Sequence, residues 1–235
     1  MAEARPHPEK TRCLGLLGGL GVGAAIHYYR DLALAAEARG RALDLVMAHA
    51  QTARVFEYVE AGDRDGLAAY LNGFIVRLHA AGAEFAVVPA VTPHYCIREL
   101  RNISPLPLLS VFEPMLRELA ARHIRRVSVF GSEPAMKSGL YGELGEVEII
   151  PHRPEELRYL SEIYTALLRT GAATTDQHAG ITALAHTVLK RDQVEAIVLA
   201  GTDLALVFNE SNIDFPYLDC AALHLAAIKD ELFRV

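Results

Sequence analysis

One phrase occurs twice in the chain: an apolar strand that runs into small side chains and a threonine. The first copy is Ala86-Val87-Val88-Pro89-Ala90-Val91-Thr92 and the second is Ala196-Ile197-Val198-Leu199-Ala200-Gly201-Thr202. Each closes a half-chain that opens on a strand running into a glycine turn, Cys13-Leu14-Gly15-Leu16-Leu17-Gly18-Gly19 in the first half and Val127-Ser128-Val129-Phe130-Gly131-Ser132 in the second. Gly18 to Thr92 spans 74 residues and Gly131 to Thr202 spans 71. A repeat of that length predicts an internal duplication: two pseudo-symmetric α/β units with parallel sheets. Strand ends and glycine loops of both halves then meet at one crevice, because small ligands bind outside the carboxyl ends of parallel strands.

The apolar pattern supports this class. Short apolar runs at 13–17, 43–48, 85–88, 106–109, 127–130, 147–150, 196–199 and 217–218 read as strands. Between them, 23–37, 65–81, 114–122, 154–170 and 176–190 carry apolar residues at three- and four-residue spacing, which reads as helix. Strands alternating with helices of this length predict parallel sheets covered on both faces. The prolines in Ile103-Ser104-Pro105-Leu106-Pro107 and Asp214-Phe215-Pro216 predict hinges. The first unit is accordingly expected at 1–105 and 216–235, to which a C-terminal helix from Ala221 to Leu232 returns, and the second at 106–215.

Charge and cysteine usage exclude several partners. A net charge of −6 gives no basic face for a phosphate backbone, so nucleic acid is not an expected partner. No apolar run reaches the roughly 18 residues of a membrane span, and the opening residues lack the apolar core of a signal peptide. The expectation is a cytoplasmic protein. Cys13, Cys96 and Cys220 are widely spaced and match no metal-ligand pattern, and no metal is expected.

Six segments, in order, resemble the cofactor-independent aspartate/glutamate racemases. They are Gly15-Leu16-Leu17-Gly18-Gly19-Leu20-Gly21, Ile26-His27-Tyr28-Tyr29-Arg30, Thr92-Pro93-His94, the stretch from Gly131 to Tyr141, Gly201-Thr202-Asp203-Leu204, and the stretch from Pro216 to His224. The resemblance implies two pseudo-symmetric domains, usually in a homodimer, with a small carboxylate substrate between them and no cofactor. It also implies two cysteines on opposite faces of the substrate Cα, one thiolate removing the α-proton and the opposite thiol returning one. Such a proton is very weakly acidic, so the base must be a desolvated thiolate. Here the matching positions are Ala90 and Gly201, neither of which can move a proton. Val91 replaces the usual asparagine, and Asp203 a longer acid.

The binding apparatus implied by the resemblance is better kept. Backbone amides near Gly19 and Gly21, at a helix N-terminus, suit a carboxylate, although the glycines also serve a tight turn. Thr92 and Thr202 are candidate hydroxyl donors to substrate or, equally, helix caps. Ser132 and Tyr141 are expected to face the site from the second half, and His49 to sit at its rim. His94 and Asp203 are the candidate acid/base groups, each with a structural alternative: a satisfied core histidine and a helix cap. Cys96 is not expected to point into the crevice, and Cys220 reads as a buried structural thiol.

Three functions remain open at this stage. One is an enzyme with altered, non-two-thiol chemistry, a lyase or isomerase step on a small amino acid or diacid. Another is a catalytically inactive binding or sensor protein. The least expected is an amino-acid racemase drawing thiols from Cys96 or Cys220.

Overall fold

The computed structural model describes residues 9–234. The first half runs β1 (Leu14–Gly18), α1 (Val22–Ala38), β2 (Leu45–His49), α2 (Thr52–Ala61), α3 (Arg64–Ala80), β3 (Phe85–Val87), α4 (Ile97–Ile103), β4 (Leu108–Leu109). The second continues with α5 (Phe112–Ala121), β5 (Arg126–Gly131), α6 (Glu133–Lys137), β6 (Glu148–Ile149), α7 (Pro154–Thr170), α8 (Thr175–Asp192), β7 (Ala196–Ala200), β8 (Tyr217–Asp219) and α9 (Cys220–Leu232). The strands form two four-stranded sheets ordered β2-β1-β3-β4 and β6-β5-β7-β8, the same order within each half, and all their pairings are parallel. The repeated phrase therefore marks the same strand, third in order, in each sheet.

The central strands β1 and β7 are buried along their whole length, which is why they read as continuous apolar runs rather than as alternations, and β5 is buried from Val127 to Gly131 with Ser128 included. One face of the first sheet is covered by α3 through Leu67, Leu71, Ile75 and Leu78. The other is covered by α1 and α9, whose Tyr28, Leu32, Leu225, Ile228 and Leu232 pack on Leu14, Leu16, Phe85 and Val87. Each such fully buried side chain contributes about 1.5–3 kcal/mol. The C-terminal helix thus returns to the first sheet. In the second unit α5, α7 and α8 enclose β5 and β7.

Strand pairing divides the chain differently from the expected hinges. β4 belongs to the first sheet and β8 to the second, so the crossings between sheets follow Leu109 and Asp219 rather than residues 105 and 215. The prolines explain the displacement. Pro107 accepts a hydrogen bond from Ala86 N–H and Pro216 one from Ile197 N–H, so these residues lead into edge strands, where a missing N–H is tolerated. Three helices, α2, α4 and the short α6, lie outside the helical runs read from the sequence.

Among the described residues no helix is long and apolar enough to cross a membrane, and no group of three His, Cys, Asp or Glu side chains is placed to hold a metal.

Candidate functional site

The carboxyl ends of β1, β3, β5 and β7 meet between the two units, and the groups expected to hold a ligand there hold each other. At the end of β1, Gly19 has φ 85° and Gly21 φ 133°, conformations that disfavour side chains. A Cβ on Gly19 would also strike the Ala50 carbonyl and the His49 ring. Gly21 precedes the first turn of α1, whose amide ends attract an anion. The anion present is internal: the Asp203 carboxylate reaches from the 3₁₀ turn after β7, accepts a hydrogen bond from Ala24 N–H at 3.2 Å, and lies so close to Gly21 that a Cβ there would be 2.6 Å from Oδ2. Burial raises the Asp203 pKa, with the Ala24 and Tyr164 hydrogen bonds opposing the shift.

Both threonines are committed across the same boundary. Thr92 Oγ1 lies 2.9 Å from Ser132 Oγ, joining the phrase that closes the first half to the strand-turn that opens the second. Thr202 Oγ1 donates to the Pro89 carbonyl at 2.9 Å and is fully buried. Its hydroxyl thus closes the units on each other rather than standing free for a ligand. Thr202→Val leaves a buried carbonyl without its donor and should cost about 1–3 kcal/mol. Urea denaturation measures this; a loss below about 0.5 kcal/mol, the level of an ordinary surface change, would show that the bond does not help to hold the units together.

Ala90, Val91 and Gly201, the positions that set this chain apart from two-thiol chemistry, surround one aromatic ring. Tyr164, from the buried face of α7, packs on Gly201 so tightly that a Cβ at 201 would overlap its ring edge and stand 2.7 Å from Cζ. The same ring, with Leu20, Val55, Phe56, Ala90, Val91, Thr92 and Leu168, encloses a cavity of only 10 Å³, about the space of one water. The Tyr164 hydroxyl donates to Asp203 Oδ2 at 3.5 Å, and burial pushes its pKa well up. Neither remaining thiol replaces the missing pair. Cys96 is buried and donates to the Pro93 carbonyl, its pKa pushed up by burial to about 12. Cys220 is wholly buried and its pKa is also raised.

His94 is held by backbone on both sides. Since a carbonyl only accepts, Nδ1–H donates to Ala90 O at 2.8 Å, and Nε2 accepts from Val111 N–H at 3.3 Å. Burial lowers its pKa to about 4. In this arrangement the ring has no free nitrogen to offer a substrate. His49 is exposed at the rim, beside Gly19, and Tyr141 is packed against Tyr95 with its pKa raised by burial. Asp203 is then the one sequence-derived acid/base candidate that meets Tyr164 at the centre of the crevice, through the Tyr164 hydroxyl.

The sequence reading did not find Tyr164, Phe56 or Leu168. These three side chains separate the small inner cavity from an outer cleft of 430 Å³ between α2, α6 and α7. Tyr164 lies on the apolar face of α7 with Leu160, Ile163 and Leu167, so its spacing reads as ordinary core. The available pointer was Gly201: a position without a side chain among buried neighbours must be filled from elsewhere.

The family model described as Asp/Glu/Hydantoin racemase matches residues 17–228. Among solved structures, a candidate Asp/Glu racemase from Yersinia pestis superposes with a TM-score of 0.79 at 23% identity, covering 93% of this chain and 98% of that one. An aspartate racemase homologue from Pyrococcus horikoshii OT3 gives 0.74 at 20% identity, with coverage of 93% and 98%. A glutamate racemase from Francisella tularensis, crystallised with D-glutamate, gives 0.64 at 10% identity, with coverage of 95% and 84%.

Proposed function

As this chain belongs to the Asp/Glu/hydantoin racemase family, we propose that it binds a small amino acid or related carboxylate between its units without two-thiol racemization. The observation that carries this is the filled centre of the crevice: Ala90 on one wall, Gly201 on the other, and the Tyr164 ring against Gly201. With His94 spent on backbone, the reading best supported is a binding or sensing protein. A second reading rests on Asp203, whose pKa burial raises above the ordinary carboxylate value and which would exchange one proton in a lyase or isomerase step.

We further propose that it acts without a cofactor, in the cytoplasm, as a homodimer. Free Cys13, Cys96 and Cys220 fit a reducing compartment. Exposed Val22, Ile26 and Tyr29, at helical spacing on α1, suit contact with a second copy.

The test is α-proton exchange. In D₂O with aspartate, glutamate and other amino acids and diacids, NMR should show no exchange, while calorimetry shows binding of at least one of them. Exchange with inversion would overturn the proposal, and exchange without inversion would favour the one-acid reading.

A further inference from the structure

Resting on the reading that an amino acid binds between the units, we infer which class of amino acid the site takes: a zwitterion with an apolar side chain, not aspartate or glutamate. The inner cavity has no room; the cleft that shares Phe56, Tyr164 and Leu168 with it, and so opens next to the crevice centre, has 430 Å³, within the range of small-molecule sites. Its charges are few. Glu60, on α2, has no ion-pair partner among the described residues and lines the same cleft as Lys137, on α6, which pairs with Glu133 at 2.5 Å. Lys137 is the sole cation in the lining of either the cleft or the inner cavity.

This set matches a zwitterion. Glu60 offers a carboxylate for the ligand's ammonium. Lys137 has three N–H donors, of which the Glu133 pair takes one, so a ligand carboxylate can be received beside that pair. Ser132 also lines the cleft, and when it accepts from Thr92 its own O–H is left to donate to the same carboxylate. The rest of the cleft is Phe56, Val59, Pro134, Tyr164 and Leu168, an apolar lining for an apolar side chain. A second carboxylate, as in aspartate or glutamate, would be taken out of water with no further cation to meet it, a costly arrangement.

The experiment is calorimetric titration of the full chain with phenylalanine, leucine, aspartate, glutamate and phenylacetate, repeated on Glu60→Gln. Glu60 is exposed, so the variant should fold. Phenylalanine or leucine should bind about tenfold or more tighter than aspartate and glutamate. Glu60→Gln should weaken the apolar amino acid about tenfold or more, as expected for losing a charge-assisted contact, and leave phenylacetate, which has no ammonium, unchanged. Aspartate or glutamate binding as tightly as the apolar amino acids, or an unaffected Glu60→Gln, would overturn the assignment while leaving binding between the units intact. No binding by any of the five ligands would sink both.

Discussion

Gly201→Ala should destabilise the protein by about 1–3 kcal/mol, the usual cost of overpacking a filled core, and Tyr164→Ala by about 3–5 kcal/mol, as for other buried aromatic truncations. The double variant should lose less than the sum of the two. The reason is geometric: a methyl at 201 occupies the volume of the Tyr164 ring edge, 2.7 Å from Cζ and 2.8 Å from the hydroxyl oxygen. Once the ring is gone, the methyl has room and refills part of the cavity. Contacting residues of this kind couple by about 0.5–3 kcal/mol. Urea denaturation of the four proteins measures the cycle, and strict additivity would mean that the ring does not stand in the space of a side chain at 201. The same contact bears on chemistry. Ala90→Cys with Gly201→Cys alone would force a thiol into the ring, so any attempt to restore opposed thiols must also shorten Tyr164.

That contact also shows where sequence reasoning stopped. The parallel sheets were legible because β3 and β7, the third strand of each sheet, are buried on both faces and so carry unbroken apolar runs at the same place in each half. The crossing points were misread since Pro107 and Pro216 break a pattern on paper, whereas on an edge strand the missing N–H costs nothing and the carbonyl still pairs. α2 was missed: its N-cap, Gln51, makes no side-chain cap, and its one fully buried residue is Val55. Yet α2 supplies Phe56 and Glu60 to the cleft. The site residues themselves sit at the strand ends of the two halves, but their partners are tertiary facts. Asp203 meets Ala24 across 179 positions and Thr202 meets Pro89 across 113, separations over which no local pattern carries information.

The buried histidines should make the protein acid-labile well above the pH at which carboxylates titrate. His94 is held as described, and His224 presents the opposite tautomer: Nε2–H donates to the Leu109 carbonyl at 3.1 Å and Nδ1 accepts from the Tyr28 hydroxyl at 3.2 Å. Both are buried, and burial lowers their pKa values from 6.5 to about 4 for His94 and about 3 for His224; the His94 charge, at a ring separation of 6.5 Å, lowers His224 further, and Arg101 lowers His94. A base with a depressed folded pKa stabilises the fold fully above its unfolded pKa. That stability is lost as pH falls from 6.5 toward the folded value, since the unfolded chain takes up the proton first. Each histidine therefore removes about 1.4 kcal/mol per pH unit in this window, roughly 3 kcal/mol for His94 by pH 4. Asp203 and Asp219, whose pKa values burial raises, act the other way: the fold gains stability as pH falls from their raised values toward 3.8, which opposes the histidine loss and cannot cause a decline. The decline between pH 6.5 and 5 thus belongs to the histidines. Urea midpoints across pH 4–8 should show it, and His224→Gln, which cannot take up the proton, should flatten the slope by about one proton even if it lowers stability at pH 7. Nitrogen chemical shifts should report both rings neutral at pH 5, and a ring titrating near 6.5 in the folded protein would refute this account of how β4, α1 and α9 are held together.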